Sequence, residues 1–118
     1  GLTSIDLSSF DTSKVTNMRY MFGDCKSLIS LDLSNFDTSN VTDMSGMFYR
    51  CSRLKSVTFG SQADVSNVTS YSNMFSGITT TGTLDYPTAY VDAWNNIIAT
   101  NKSSSKFPST WTSTAIDY

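Results

Sequence analysis

The sequence contains no glutamate and no histidine. Lack of histidine removes the usual general base at neutral pH and the commonest metal ligand, so neither a Ser-His-Asp nor a Cys-His centre can be assembled. Lack of glutamate, in a chain whose polar residues are mostly Ser, Thr, Asn and Asp, argues against a helical bundle, which takes Glu, Lys and Ala on its exposed faces. Basic charge is also scarce. Eight Lys and Arg against ten Asp give a net charge of −2, with no basic stripe to displace counterions from nucleic acid. No run approaches the ~20 apolar residues of a membrane span, and no signal-peptide pattern is present. Two cysteines are too few for a disulfide framework. Nothing points to a cofactor, and no metal-ligand cluster is expected.

What remains is a chain of 118 residues, suited to one domain and dominated by side chains that bond to nearby backbone in turns and short stacked strands. Its organising feature is a repeat. Leu2, Leu28 and Leu54 are spaced by 26, as are Ile5, Leu31 and Val57, and Leu7, Leu33 and Phe59. Phe10-Asp11-Thr12-Ser13 recurs as Phe36-Asp37-Thr38-Ser39, Met21-Phe22 as Met47-Phe48, and Cys25 as Cys51. A third copy is one residue longer and degenerate. It keeps Asp64, Val68-Thr69 and Met74-Phe75 but has Ala63 in place of the phenylalanine, as a terminal repeat facing a cap would.

The spacing L-x-x-L-x-L predicts a short strand in each repeat, with Leu31 and Leu33 inward and Ser30 and Asp32 outward. Phe36 is expected to pack inward, followed by a tight turn and a second extended piece, Val41–Met44. Met44, Met47 and Phe48, at i, i+3 and i+4, predict one or two turns of helix with one buried face. One repeat cannot bury its own apolar edge, so stacking must supply the core. The fold class expected is therefore an α+β solenoid of leucine-rich-repeat-like right-handed coils with short parallel strands, three coils over residues 1–78. A C-terminal helical cap over residues 79–118 belongs to the same domain. Within it, Gly82–Pro87 reads as a strand and Thr88 as the cap of a helix to about Thr100. Residues 101–106 read as a polar loop, and Phe107-Pro108 with Trp111–Tyr118 as a segment returning to seal the core. Trp94, Ile98 and Trp111 are expected over the third repeat. Leu2, Ile5 and Leu7 are expected on an uncovered edge, which invites self-association or upstream coils of a longer chain.

The run V-T-x-M-x-x-M-F-x-x-C-x-x-L-x-x-L-D-L-S-x-F-D-T-S, from Val15 to Ser39, resembles the repeat of BspA-like leucine-rich-repeat surface proteins. The resemblance covers residues 2–78, and the segment from Gly82 is similar to a closing segment such proteins carry. It implies a cell-surface or secreted location and a part in adhesion or partner binding, and it carries no catalytic residues.

Candidate sites follow from the repeat. Two aspartate columns exist, Asp6 with Asp32 and Asp11 with Asp37 and Asp64. The second reads as Asx turns, with cation binding as the alternative. The first, on the outward strand face with Ser4, Ser30, Ser56 and Thr58, reads as solvated surface, as a partner contact, or as stacked acids of a hydrolase; no aromatic platform for sugar lines it in the sequence. Cys25 and Cys51 read as free thiols at a corner, with a disulfide between adjacent repeats as the alternative. The methionines read as core. Three Asn-x-Ser/Thr triplets, at Asn40, Asn67 and Asn101, match the glycosylation pattern, and turn chemistry already accounts for the first two. Tyr20 and Tyr49, near Arg19, Arg50 and Arg53, form an exposed group of the kind enriched in binding hot spots. The function expected is non-catalytic recognition of a host or neighbouring-cell surface protein or glycan, with a ligandless spacer or capping element as the rival and a stacked-Asp hydrolase behind both.

Overall fold

The computed structural model describes residues 5–104 and 106–118. Four strands, β1 (Ser30–Leu33), β2 (Ser56–Phe59), β3 (Gly82–Pro87) and β4 (Trp111–Ile116), form one parallel sheet in the order β1-β2-β3-β4. A short 3-10 turn, Thr88–Tyr90, leads from β3 into the helix α1 (Val91–Ser103). The pairing follows the sequence repeat. Ser30 lies opposite Ser56, a step of 26, and Val57 opposite Leu84, a step of 27 that absorbs the extra residue of the third copy. Alternation works as expected, with Leu31, Leu33, Val57, Phe59 and Leu84 buried and Ser30 and Asp32 exposed.

The first repeat contributes no strand among the described residues. Leu2 and Ser4 lie outside them, and Ile5 to Leu7 run without assigned structure. Leu7 is buried and Ile5 half-buried, and neither lies in a strand, so the sheet edge expected at Leu2, Ile5 and Leu7 is not formed by the residues described. The edge strand is β1.

The corner after each turn is also not the helix that its apolar spacing predicts. Residues 44–48 form successive turns, and the extended piece Val41–Met44 reduces to single bridges, Asn17 to Asp43 and Asp43 to Ser70. The reason lies in where the amides go. The N–H groups of Met18, Tyr20, Phe22 and Asp24 donate to the carbonyls of Asp43, Ser45, Met47 and Tyr49 in the next repeat, at 2.7–3.0 Å. Met44, Gly46, Phe48 and Arg50 donate likewise to Ser70, Ser72, Met74 and Ser76. The amides between them close four-residue turns, such as Met47 to Met44 and Tyr49 to Gly46. An α-helix needs every amide for its own carbonyl four residues back. Here every second one bonds the neighbouring repeat instead. The turns require positive φ at Tyr20, Asp24, Gly46, Arg50, Asn73 and Gly77.

Aromatic rings run through the core. Phe48 stacks on Phe22 and Phe75 at centroid distances of 6.0 and 5.4 Å and meets Phe59 edge-on. Trp94 of α1 lies 4.7 Å from Phe59, and its indole N–H donates to the Ala63 carbonyl at 3.0 Å. Ala63 at the phenylalanine position leaves room for that indole. Ile98 and Trp111 are buried with it, as expected, and Phe107 packs edge-on against Phe75.

Three details of the cap differ from the sequence reading. Thr88 does not cap α1, because its hydroxyl donates to Asp117 instead. The helix continues to Ser103, so Asn101 is helical and buried, donating to the Tyr71 and Ile97 carbonyls. The returning segment joins the sheet as β4, beside β3, rather than lying across the open end.

Candidate functional site

The outward face of the sheet carries two continuous rows. Ser30, Ser56, Thr83 and Thr112 are partners in register, as are Asp32, Thr58, Asp85 and Thr114. Ser30, Asp32, Thr83, Thr112 and Thr114 are exposed, while Ser56, Thr58 and Asp85 are half-buried. Strands at ~4.8 Å spacing thus present an ordered array of hydroxyls and carboxylates. The sequence reading found only half of it. Thr83-x-Asp85 and Thr112-x-Thr114 carry the same alternation, but neither sits at the repeat's period.

Asp6 and Asp32 come together at a hollow of about 190 Å³ with Ser8 and Ser34. Ser4 lies outside the described residues. Both carboxylates are already occupied in part: Asp6 accepts the Ser8 N–H at 3.0 Å and its hydroxyl at 2.6 Å, and Asp32 accepts the Ser34 N–H at 3.0 Å. Side-chain and then backbone bonds from Ser8 and Ser34 hold both carboxyls below their ordinary range. A carboxylate so held suits an acceptor that stays ionised, whereas a general acid near neutrality needs the opposite shift. The first aspartate column is therefore a set of turns as well as a surface. The Tyr118 hydroxyl donates to the Phe59 carbonyl at the end of β2. Burial first, then Asp85 and Asp32, raise its phenol above the usual value.

The second column forms Asx turns as expected. Asp11, Asp37 and Asp64 accept from the amides of Ser13, Ser39 and Ser66 at 2.9–3.0 Å. Asn17 and Asp43 repeat the motif toward Arg19 and Ser45. Bonds from Ser13, side chain first, hold the Asp11 carboxyl down as well. Because the Asp11 carboxyl is lowered on folding, what its turn contributes is fully present at neutral pH and is lost only as pH falls through the lowered value. Asparagines tie repeats together: Asn40 donates to the Ser13 carbonyl at 2.7 Å and Asn67 to Ser39 at 2.8 Å. Asn101, buried and bonded twice through its amide nitrogen, cannot accept a glycan in the folded chain.

Cys25 and Cys51 are free thiols, Cys51 buried and Cys25 half-buried. The Cys51 thiol donates to the Phe22 carbonyl at 2.9 Å, and burial pushes it up to about 11; burial raises Cys25 too. Thiolate is the reactive form. At pH 8 a thiol reagent is expected to label Cys25 slowly and Cys51 only on unfolding, as followed by intact-mass spectrometry. Rapid labelling of Cys51 in the native chain would contradict this placement.

Met18, Met44, Met47 and Met74 are buried as core, but Met21 is exposed. Beside it, Tyr20 meets Tyr49 edge-on at 5.7 Å. The guanidinium of Arg19 lies 5.4 Å from the Tyr20 centroid and that of Arg50 lies 5.1 Å from Tyr49. The corner is built of turns rather than helix, but it does bring Tyr20, Tyr49 and Arg50 together. A further hollow of about 500 Å³, absent from the sequence reading, is lined by Lys102, Phe107, Pro108, Ser109 and Trp111. Its residues come from the end of α1, the connection that follows and the start of β4.

Among the described residues no group of three metal-ligating side chains is assembled, and no helix is long and apolar enough to cross a membrane. No curated protein and no solved structure matches the chain. The family described as "Mycoplasma protein of unknown function, DUF285" matches residues 3–86, ending within β3. The match spans well over half of the sequence, and the chain belongs to that family.

Proposed function

We propose that this chain is a non-catalytic recognition module of a surface protein, its repeats forming the coils of a leucine-rich-repeat-like solenoid and its sheet face binding a protein or glycan. The likeness of Val15–Ser39 to BspA-like repeats supports the solenoid reading, as does strand pairing at steps of 26 and 27. The observation that carries the functional reading is the pair of outward rows. Thr58 is flanked by Asp32 and Asp85, and Tyr118 is bonded through its hydroxyl to the carbonyl of Phe59, the residue after Thr58. Carboxylate acceptors, hydroxyls at regular spacing and a ring at the rim suit a ligand rich in hydroxyl or amide donors.

The test is a binding screen of the chain against matrix proteins, mucins and glycans, with an Asp32→Lys/Asp85→Lys variant alongside. Saturable binding weakened at least about tenfold in the variant is expected, since reversing charge at a contact costs well over 1.4 kcal/mol. Absence of any saturable ligand for the folded chain would favour a spacer that displays a neighbouring domain. Binding that the variant retains would move the site off this face.

A further inference from the structure

The corner carrying Tyr20 and Arg50 departs from the rest of the surface in its backbone as well as its side chains. Among the described residues six have positive φ, and they fall in two columns of the repeat. One column is Tyr20, Gly46 and Asn73; the other is Asp24, Arg50 and Gly77. Glycine and asparagine are what a left-handed position ordinarily takes, because a Cβ is strained there. Tyrosine and arginine are not. Their neighbours make room for them. A Cβ on Gly46 would lie 2.3 Å from the Tyr20 ring, and one on Gly77 would lie 3.0 Å from Arg50 Cα. A large side chain thus stands on strained backbone while the next repeat is reduced to glycine beneath it. Strain of this kind persists where the surrounding structure enforces it, and it clusters at sites of function.

The side chains supply a second, independent observation. Arg19, Tyr20, Tyr49 and Arg50 form a continuous series, with a guanidinium over each ring and the rings edge-to-face at 89°. Stacking fixes the plane of each guanidinium and leaves its N–H edge free for a carboxylate fork. Perpendicular rings whose faces already hold guanidinium groups offer no flat platform to a sugar. Tyr, Arg and Met, the last present as exposed Met21, are the residues enriched in the cores of protein interfaces.

We propose that this corner docks an acidic protein segment, its carboxylates held by Arg19 and Arg50 and its apolar side chains set against Tyr20, Tyr49 and Met21. The proposal is independent of the sheet face and requires no ligand there.

The columns themselves supply the variants. Arg50→Gly installs the residue found at Gly77, and Tyr20→Asn the residue found at Asn73, so each replaces a strained residue with one its own column accepts. The probe is a short fluorescent peptide rich in Glu and Leu, with a Gln-for-Glu counterpart and heparin as comparators. Saturable, salt-sensitive binding of the Glu peptide is expected. Arg50→Gly should weaken it at least about tenfold without lowering the melting temperature, and Tyr20→Asn should weaken it in the same direction. Asp32→Asn/Asp85→Asn should leave it unchanged. No saturable peptide binding by the folded chain, equal binding of the Gln peptide, tighter binding of heparin, or full affinity in Arg50→Gly would each overturn the proposal.

Discussion

Replacing Phe48 with alanine is expected to lower the unfolding free energy by about 3–5 kcal/mol, measured by urea denaturation. Phe48 is fully buried and touches rings from three other segments: Phe22 one repeat before, Phe75 one repeat after, and Phe59 at the end of β2. Alanine there removes contacts on both sides at once. The site has little scope for collapse, because the backbone on either side is fixed by amides bonded to the adjacent repeats. Phe48 has a stacked ring on each side, so a gap there weakens its packing against both Phe22 and Phe75. Against a total of about 5–15 kcal/mol, such a loss takes much of the margin. A loss below about 1 kcal/mol would mean that the neighbouring rings close the gap, and that the aromatic file is not the main tie between repeats.

Trp94→Ala is expected to be as severe, about 3–5 kcal/mol by the same measurement, for a different reason. Trp94 is the side chain of α1 that reaches deepest. Its ring sits against Phe59 and Tyr86, and its indole N–H holds the buried Ala63 carbonyl. Truncation opens a cavity and also strips a buried acceptor of its donor, which adds a desolvation cost. Trp94→Phe separates the two contributions. It keeps most of the ring volume and loses the hydrogen bond with only a smaller part of the packing, so about 1–3 kcal/mol is expected. Equal losses for alanine and phenylalanine would place the whole effect in the Ala63 contact.

Much of this architecture could be read from the residues. Leu31 and Leu33 against Ser30 and Asp32 state which face of β1 is buried, and the period of 26 states the register of β1 on β2. The turns at Asp11, Asp37 and Asp64 were legible because an Asx turn is local chemistry, complete within three residues. The corner was not. Apolar residues at i, i+3 and i+4 are what a helix shows, and consecutive turns with left-handed residues bury the same positions. Only the destination of alternate amides tells the two apart. The outer rows were half legible, since Thr83, Asp85, Thr112 and Thr114 lie outside the repeat and join it through pairings of β3 and β4. Tyr118 escaped notice because its partner, Phe59, is 59 residues away.

The alternate amides of the corner all donate in one direction, from each repeat to the one that follows. Along the first repeat, the carbonyls of Asn17, Arg19, Met21 and Gly23 correspondingly accept no backbone bond among the described residues. The stack therefore has a polarity, like a file of plugs and sockets. Two copies meeting through their first repeats would set carbonyl against carbonyl along this row and gain no hydrogen bonds from it. A surface that presents amides at the matching rise complements it, and another repeat of the same kind does so by construction. Any partner for this row must bring donors to it.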